Sequence, residues 1–575
     1  MIIRCARSWR DATYSKDACS VPGWEGMAAT ETSLDQKAAI RAAVFDHLAG
    51  MVLVPTAKAL WDRGVFSLFN GPGSWVSLDQ IVEHTRGNRG YLKVALRLLA
   101  SSGWLKIRFD SSHKTPSYTL SNEGTIALRL VPLVFGEAAS FIPIAIFLED
   151  FLFGRSQASV HPSLQILATR AKQRWDIPAD AEPGAEAVQE RVRALLNGIL
   201  VGPSMVALAR HGVFEQLLRG PVEIKNLQGN SSCLGVVFDL LAAQGWVQRE
   251  QNRVALTNSG NYAAQIAASY GVTVSYLPLF SVIGTLLFGN ARISRVDENG
   301  NELLCDRAIN VWGSGGAHKT YFKKVDEIIV ETFSRPLDQQ PRGICDMGCG
   351  DGTLLDHLYN VVKNQTPRGK VLSQHPLVMI GADFNKVARR LSTQRLRKAA
   401  IPQFHVIRGD INRPAQLASD LEDLGLDIHD LLHVRSFLDH NRPYLPPANY
   451  AARSRIAKST GAFAHLGDEV PCDELEENLV RHLRRWAPYV GRFGLLVLEL
   501  HTLPPEVSAA NTSRTPVVAY DGTHGFSDQY LVEVAVFLEL AREAGLSSEE
   551  RYRAMFPPSE LATVSINFFH APQTR

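Results

Sequence analysis

From residue 342 onward the chain alternates short apolar runs with stretches of helical spacing. The runs are RGICDMGCGDG (342–352), LVMIGADF (377–384), QFHVIRGDI (403–411), DLLHVRSF (430–437) and RFGLLVLELH (492–501). Apolar runs of this length, bounded by polar residues and separated by helix-length segments, predict buried parallel strands. The segment YLVEVAVFLELAREAG (530–545) has helical periodicity, and a strand pair near 550–557 and 563–570 follows it. The pattern predicts an α/β Rossmann-like core over 301–575, with a seven-stranded sheet and one reversed edge.

The first half repeats itself. VPTAKALWDRGVF (54–66) answers VGPSMVALARHGVF (201–214), and LKVALRLLASSGWLKI (92–107) answers LGVVFDLLAAQGWVQRE (234–250). YTLSNEGTIAL (118–128) answers VALTNSGNYAA (254–264), and both copies then reach a proline-containing apolar helix ending in Leu-Phe-Gly. Similarity at ordered places implies duplication. Helix, helix, Gly-Trp and a two-stranded wing describe a winged-helix pattern, expected over 34–159 and 197–300 as an N-terminal helical lid. The segment 160–196 reads as a helical connector broken by Pro178, Pro183 and Gly184. Residues 1–33 read as a disordered tail. Over 307–334 an amphipathic helix is expected after a flexible turn at Gly313-Ser-Gly-Gly316, with Tyr321 placed to cover a cofactor.

A winged helix can read DNA through its second helix. Here those helices, around 90–101 and 233–243, are largely apolar, with Lys93 and Arg97 the basic residues of the first and none on the second. The formal net charge of +2 adds no phosphate-binding signature. No nucleic-acid partner is therefore expected. Hydrophobic content of 45% and charged content of 21% suit a folded chain, and 575 residues imply several domains. Seven cysteines without a CxxC pair suggest a reducing, cytoplasmic setting. FIPIAIFLEDFLFG (141–154) and VSYLPLFSVIGTLLFG (274–289) fall short of the roughly 20 residues that span a bilayer, so no membrane segment is expected.

The chemistry starts at Asp346 and the glycines that follow it. Gly348, Gly350 and Gly352 fall at alternate positions between a strand and the helix beginning at Thr353. Strand, glycine turn and helix present backbone N–H groups to a ligand, and a dinucleotide is one such ligand. Later acidic strand ends narrow the choice. Asp383, with Phe384 beside it, suits two ribose hydroxyls. Asp410 suits an adenine amine, with Ile411 against the ring. This series resembles the class I S-adenosylmethionine-dependent methyltransferases, which implies S-adenosyl-L-methionine as cofactor.

Two schemes for activating an acceptor fit the residues beyond the strand ends. In one, His501, His524 and Gln529 bind Fe(II) or Mn(II), which polarises a 1,3-dicarbonyl toward its enolate. In the other, His440 or His433 is a general base within HVRSFLDHNRPY (433–444), where Arg435 also lies and Asp439 fixes the base's tautomer.

The strings INVWGSGGAHKTYFKKVDEII, LLHVRSFLDHNRPY, APYVGRFGLLVLELHT and YDGTHGFSDQYLVEV resemble the methyltransferase domains of polyketide synthases, in particular those that build starter units. The resemblance implies C-methylation of a malonyl-type thioester and a mononuclear metal on His501, His524 and Gln529. The expected partners are a small-molecule or carrier-protein-bound acyl substrate, with room left for a homodimer. O-methylation of a small metabolite with a histidine base is the alternative enzyme, and a winged-helix regulator that senses S-adenosylmethionine is a more distant one.

Overall fold

The structure, a computed structural model, describes residues 32–109, 115–154, 162–298, 302–318, 321–446 and 456–571. The tail expected over 1–33 lies almost wholly outside the described residues. The first repeated unit opens on α1 (Leu34–Asp62), started by a capping box between Ser33 and Gln36. It continues through α2 (Arg89–Ser101) to a small antiparallel sheet in the order Val76–Ser77, Pro116–Leu120, Leu105–Phe109. The second unit repeats this plan with α3 (Ala185–Arg210), α4 (Ser231–Ala243) and strands in the order Val222–Glu223, Arg253–Leu256, Val247–Glu250.

The repeats meet as a pseudo-twofold pair. Gly50 of α1 lies against the Leu195 backbone of α3, where a Cβ would stand 1.9 Å from the carbonyl oxygen. Gly198 of α3 lies in the same way against His47 of α1, where the distance would be 2.1 Å. Gly50 corresponds to Gly198 in the repeat and His47 to Leu195, so each helix offers its partner the same surface. Both helices exceed the length expected to cross a bilayer, as does Asn122–Ala145. This corrects the expectation that no segment is long enough. The reason for the apolar composition is internal, since 67% of the apolar window in α1 and 78% of that in α3 are buried within the protein.

The connector into the core also differs from expectation. Gly313 to Gly316 continue a helix, α5 (Arg307–His318), instead of breaking it. The missing Cβ at Gly313 lets α5 approach Gly271 of the second unit, where a Cβ would stand 2.6 Å from the Gly271 Cα.

Among the described residues the core sheet has eight strands: β1 (Gly343–Met347), β2 (Val378–Asp383), β3 (Phe404–Arg408), β4 (Leu431–Ser436), β5 (Leu495–Leu500), β6 (Ser547–Ser548), β7 (Ala554–Phe556) and β8 (Val564–His570). Their order is β6-β8-β5-β4-β1-β2-β3, with β7 also paired to β8. β1 to β5 are mutually parallel, and β8 runs antiparallel to β5. The sheet is therefore not seven-stranded: the reversed strand β8 has its outer side covered by the short strands β6 and β7. Ile344, Met379, Leu432 and Leu496 pack on one face with α6 (Thr353–Gln365) and the helix Phe322–Phe333. Cys345, Ile380, Leu431 and Leu495 pack on the other with Cys472–Trp486 and Val534–Glu543. Sheet faces covered on both sides explain why the strands read as continuous apolar runs. Parallel strands also bring the ends of β1, β2, β3, β4 and β5 to one edge, where open α/β sheets bind ligands.

Candidate active site

The glycine turn needs its glycines. Gly348, Gly350 and Gly352 have φ of 81°, 53° and 79°, in the left-handed region that side chains with a Cβ resist. A Cβ on Gly348 would stand 2.9 Å from Leu438 Cδ2, and one on Gly352 would stand 2.7 Å from Ser392 Oγ. The turn is tied down by Asp383: the Gly350 N–H donates to its Oδ2 at 3.1 Å and the Asn385 N–H to its Oδ1 at 2.8 Å. Arg395 adds a guanidinium bond to Asp351 at 2.5 Å. α5 lies over this turn, with Val311 against Gly350 and Gly315 near Asp351 and Thr353. Arg307 of α5 is held by both oxygens of Glu302, at 2.7 and 2.5 Å, and Asn385 reaches Glu302 at 3.5 Å.

Asp346 ends this cradle with a buried carboxylate whose Oδ1 has no hydrogen-bond partner among the described residues. Burial first, and then the charge of Asp383, push its carboxyl up to about 8. A buried acceptor left open beside a glycine cradle fits a ligand that brings donors or positive charge, which S-adenosylmethionine does through its ammonium group. Without that ligand the carboxyl takes up its proton on folding at intermediate pH. Between the ordinary carboxylate range near 4 and about 8, the folded state holds more protons here than the unfolded chain, so stability falls as pH rises. Asp346→Asn is therefore expected to flatten this part of the pH–stability profile of the ligand-free protein in urea titrations. Parallel profiles for the two proteins would show that Asp346 does not titrate in this window.

The nucleoside candidates lie at the next strand ends. Phe384 is exposed, with the Arg408 guanidinium 5.0 Å from its ring centre. Asp410 receives the Asn412 N–H at 2.9 Å, and Ile411 is buried with its carbonyl accepting from Trp486 Nε1 at 2.7 Å.

Beyond β4 the structure separates residues that the sequence had grouped. His433 is a correction: it sits within β4, hydrogen-bonded to the Ile428 carbonyl at 3.0 Å and edge-on to Trp486, with burial lowering its pKa to about 4. It belongs to the core and not to the reacting end of the sheet. Asp439 does not orient His440. It accepts from Arg435 at 2.6 Å and from His482 at 2.9 Å in a fully buried cluster, and Arg435 lies over the Trp486 ring. Burial alone would raise the Asp439 carboxyl, but Arg435 and then His482 outweigh it and hold its pKa low. Arg435 and Asp439 thus brace the turn that carries His440.

The orienting group is Glu499, which the sequence reading missed. The His440 Nδ1 donates to Glu499 Oε1 at 2.6 Å and the His440 backbone N–H to Oε2 at 3.2 Å. Both residues are buried. A carboxylate can only accept here, so Nδ1 carries the proton and Nε2 keeps its lone pair. The available signal was one acidic residue in the otherwise apolar run LLVLEL. Leu438, two residues before His440, rests on Gly348, so this base is carried by the turn beside the cofactor cradle.

His524 stands next to His440, ring centres 4.8 Å apart and nearly perpendicular. It lies in α7 (Val517–Phe526), and its Nδ1 donates to the Tyr520 carbonyl at 2.6 Å. Gln529 Nε2 donates to the Tyr276 hydroxyl at 2.8 Å and to Ser527 at 2.9 Å. A small cavity beside them is lined by Val94, Arg97, Phe463, Asp521, His524 and Gln529. His501 does not complete a metal site with them. Its Nδ1 meets the Val532 carbonyl at 3.1 Å and its Nε2 meets Ser565 Oγ at 2.7 Å. The carbonyl requires a proton on Nδ1, and Ser565 takes the remaining lone pair, which leaves no ring nitrogen to ligate a metal. No group of three or more His, Cys, Asp or Glu residues positioned for a metal occurs among the described residues. The expected Fe(II) or Mn(II) set His501, His524 and Gln529 therefore does not fit.

A Rossmann-like sheet, a glycine cradle and acidic strand ends define a methyltransferase core. Residues 302–567 match a methyltransferase family model described as the AprA MT2-like domain. Residues 40–107 match the AprA N-terminal domain, and 197–290 the AprA winged helix domain. The chain is an S-adenosylmethionine-dependent methyltransferase, and its catalytic half is similar to the AprA MT2-like domain. No curated protein matches it in sequence. Similar solved structures include a mitomycin 7-O-methyltransferase, at 13% identity over 67% of this chain and 98% of that one, with a TM-score of 0.39. A methyltransferase of calicheamicin biosynthesis, bound to SAH, is 18% identical over 68% of this chain and 100% of its own, with a TM-score of 0.35. Human N-acetylserotonin methyltransferase in complex with SAM is 11% identical over 69% and 100%, with a TM-score of 0.37. At these scores the likenesses carry no argument about acceptor or mechanism.

Proposed function

We propose that this enzyme methylates an acceptor that must first lose a proton, with His440 as the general base and Glu499 as the group that fixes its tautomer. The observation that carries this reading is the two-point hold of Glu499 on His440 beside the cofactor cradle. Asp346, Gly348, Gly350 and Asp383 hold the cofactor, with Phe384, Asp410 and Ile411 at its nucleoside end. S-adenosylmethionine supplies an electrophilic methyl group on a sulfonium. His440 Nε2 accepts the acidic proton of the acceptor, whose freed electron pair would then take the methyl group as the methyl–sulfur bond breaks onto sulfur. The lid units and α5 exclude water from this step.

The acceptor that best fits is a malonyl-type or other 1,3-dicarbonyl acyl substrate, free or carrier-bound, methylated at carbon as in polyketide biosynthesis. Its proton is acidic enough for an imidazole base. Nucleic acid is not a partner in this reading. Lys93 of α2 is paired with Glu469 at 2.6 Å, and Arg97 is paired with Asp521 at 3.1 Å and bonded to the Leu503 carbonyl at 2.7 Å. The helix that would read DNA is thereby spent on holding the lid to the core. Free cysteines at 233, 305, 345, 349 and 472 suit a reducing cytoplasm.

Incubation with methyl-labelled S-adenosylmethionine and the N-acetylcysteamine thioester of malonate, followed by mass fragmentation, tests the reading. Label is expected on the carbon between the carbonyls. Label on a hydroxyl of a phenolic acceptor, with none on the thioester, would replace it with O-methylation by the same base.

A further inference from the structure

Resting on the reading of His440 as the base, a second inference concerns what aims it. His440 meets α7 and the residues just beyond it at two points. His524 of α7 stands against its ring, centres 4.8 Å apart, and the Tyr530 N–H donates to the His440 carbonyl at 2.8 Å. Glu499 holds the imidazole along the Nδ1–H bond. One bond at one nitrogen leaves the ring free to swing about that bond, and a second ring set nearly perpendicular to it removes this freedom. The place of α7 therefore decides where the Nε2 lone pair of His440 points.

The lid seats α7. Gly522 and Gly525, three residues apart on one face of the helix, lie against Val52 of α1 and Val94 of α2. A Cβ on Gly522 would stand 2.6 Å from Val52 Cγ2. One on Gly525 would stand 2.7 and 3.1 Å from the two methyl carbons of Val94. Neither glycine has a positive φ, so alanine would suit the helix better in isolation. Closeness to the lid is what requires glycine here. Both valines are buried, and a β-branched side chain has little freedom to turn away.

Polar bonds tie the same segment on either side of His524. Asp521 accepts from Arg97 of α2 at 3.1 Å and from Thr502 at 2.6 Å. Asp528 accepts from the Tyr91 hydroxyl at 2.7 Å and from Arg295 at 2.9 Å, and Gln529 donates to the Tyr276 hydroxyl at 2.8 Å. Tyr91 and Arg97 belong to the first repeated unit, Tyr276 and Arg295 to the second. The joint is not filled throughout, since the small cavity bordered by Val94, Arg97, Asp521 and His524 leaves α7 room to shift.

We propose that the lid positions the base. Val52 and Val94 set the depth of α7 through Gly522 and Gly525, and α7 sets the ring of His440 through His524. The two valines and two glycines are positioning residues that act through His524. The lid thereby does more than exclude water, because the imidazole takes its working orientation only with α7 seated.

Gly525→Ala, Val94→Ala and the double variant form the test, with two readouts. In enzyme carrying isotope-labelled histidines, the Nδ1 proton held by Glu499 gives a far-downfield magnetic-resonance signal, assigned by its loss in His440→Gln. Turnover is followed with methyl-labelled S-adenosylmethionine and the malonyl thioester. Gly525→Ala is expected to move the signal and to lower kcat about 10-fold, with S-adenosylhomocysteine affinity within about twofold. In the double variant the added methyl enters the space the valine leaves, and both readouts should return toward the wild type. Val94→Ala alone cannot clash. It should move the signal and lower kcat about 3-fold, and it carries the test if Gly525→Ala does not fold. A signal unmoved in the single variants, or a shift that the double variant does not reverse, would overturn the proposal. Undiminished turnover in His440→Ala, with the signal still moved and restored by the seat variants, would instead overturn the base reading and leave the seat standing.

Discussion

His440→Ala lowers kcat by about 10²–10⁴-fold while leaving S-adenosylhomocysteine affinity within about twofold. The size of the effect follows from the role. A positioned base removes the acceptor's proton in the step that makes it a nucleophile, and alanine leaves only water to do so. The cofactor cradle does not use this side chain, since His440 contacts Glu499 and His524 and the cradle is held by Asp383 and Arg395. Glu499→Gln gives a smaller loss. The carboxamide still accepts through its oxygen, but it no longer stabilises the imidazolium that forms. Single-turnover rates beside calorimetric titration with S-adenosylhomocysteine separate the two quantities. Equal losses in both would make His440 a structural residue.

Asp383→Ala has the largest expected effect on binding. Its carboxylate accepts the Gly350 and Asn385 N–H groups, so alanine both removes the candidate ribose acceptor and frees the turn. Hydrogen bonds to a charged acceptor are worth about 1.5–3 kcal/mol each, so two lost ribose bonds correspond to about 100-fold or more in affinity. Asp410→Ala should cost less. Its side chain retains about a third of its accessible surface, and solvent already competes for it. Calorimetry with S-adenosylhomocysteine checks both variants, and circular dichroism checks that they fold. Unchanged affinity in Asp383→Ala would remove the ribose assignment.

The cofactor end was legible in sequence because its chemistry is local. A turn with φ above 50° at Gly348, Gly350 and Gly352 requires glycine wherever the rest of the chain goes. Asp346 and Asp383 close adjacent parallel strands, and strand direction alone brings such ends together. The repeat was equally plain, since both copies preserve the glycines and tryptophans on which they pack. Gly124 lies against the Trp104 carbonyl and Gly260 against that of Trp246, with no room for a Cβ at either. Over Gly313 to Gly316 composition misled. Glycine weakens a helix, yet α5 keeps its glycine at the contact with Gly271, where closeness of packing outweighs backbone entropy.

The amino-acid order by itself determined a duplicated lid and an α/β core with a glycine cradle and carboxylates at its strand ends. It also named the histidines near the reacting edge. Only the tertiary structure decided what each histidine does. His440 is held by Glu499, 59 residues away, and not by the adjacent Asp439; His501 is consumed by Val532 and Ser565, 31 and 64 residues away. An imidazole's role depends on which of its two nitrogens keeps a lone pair. That is set by partners brought close through folding, which no local spacing records.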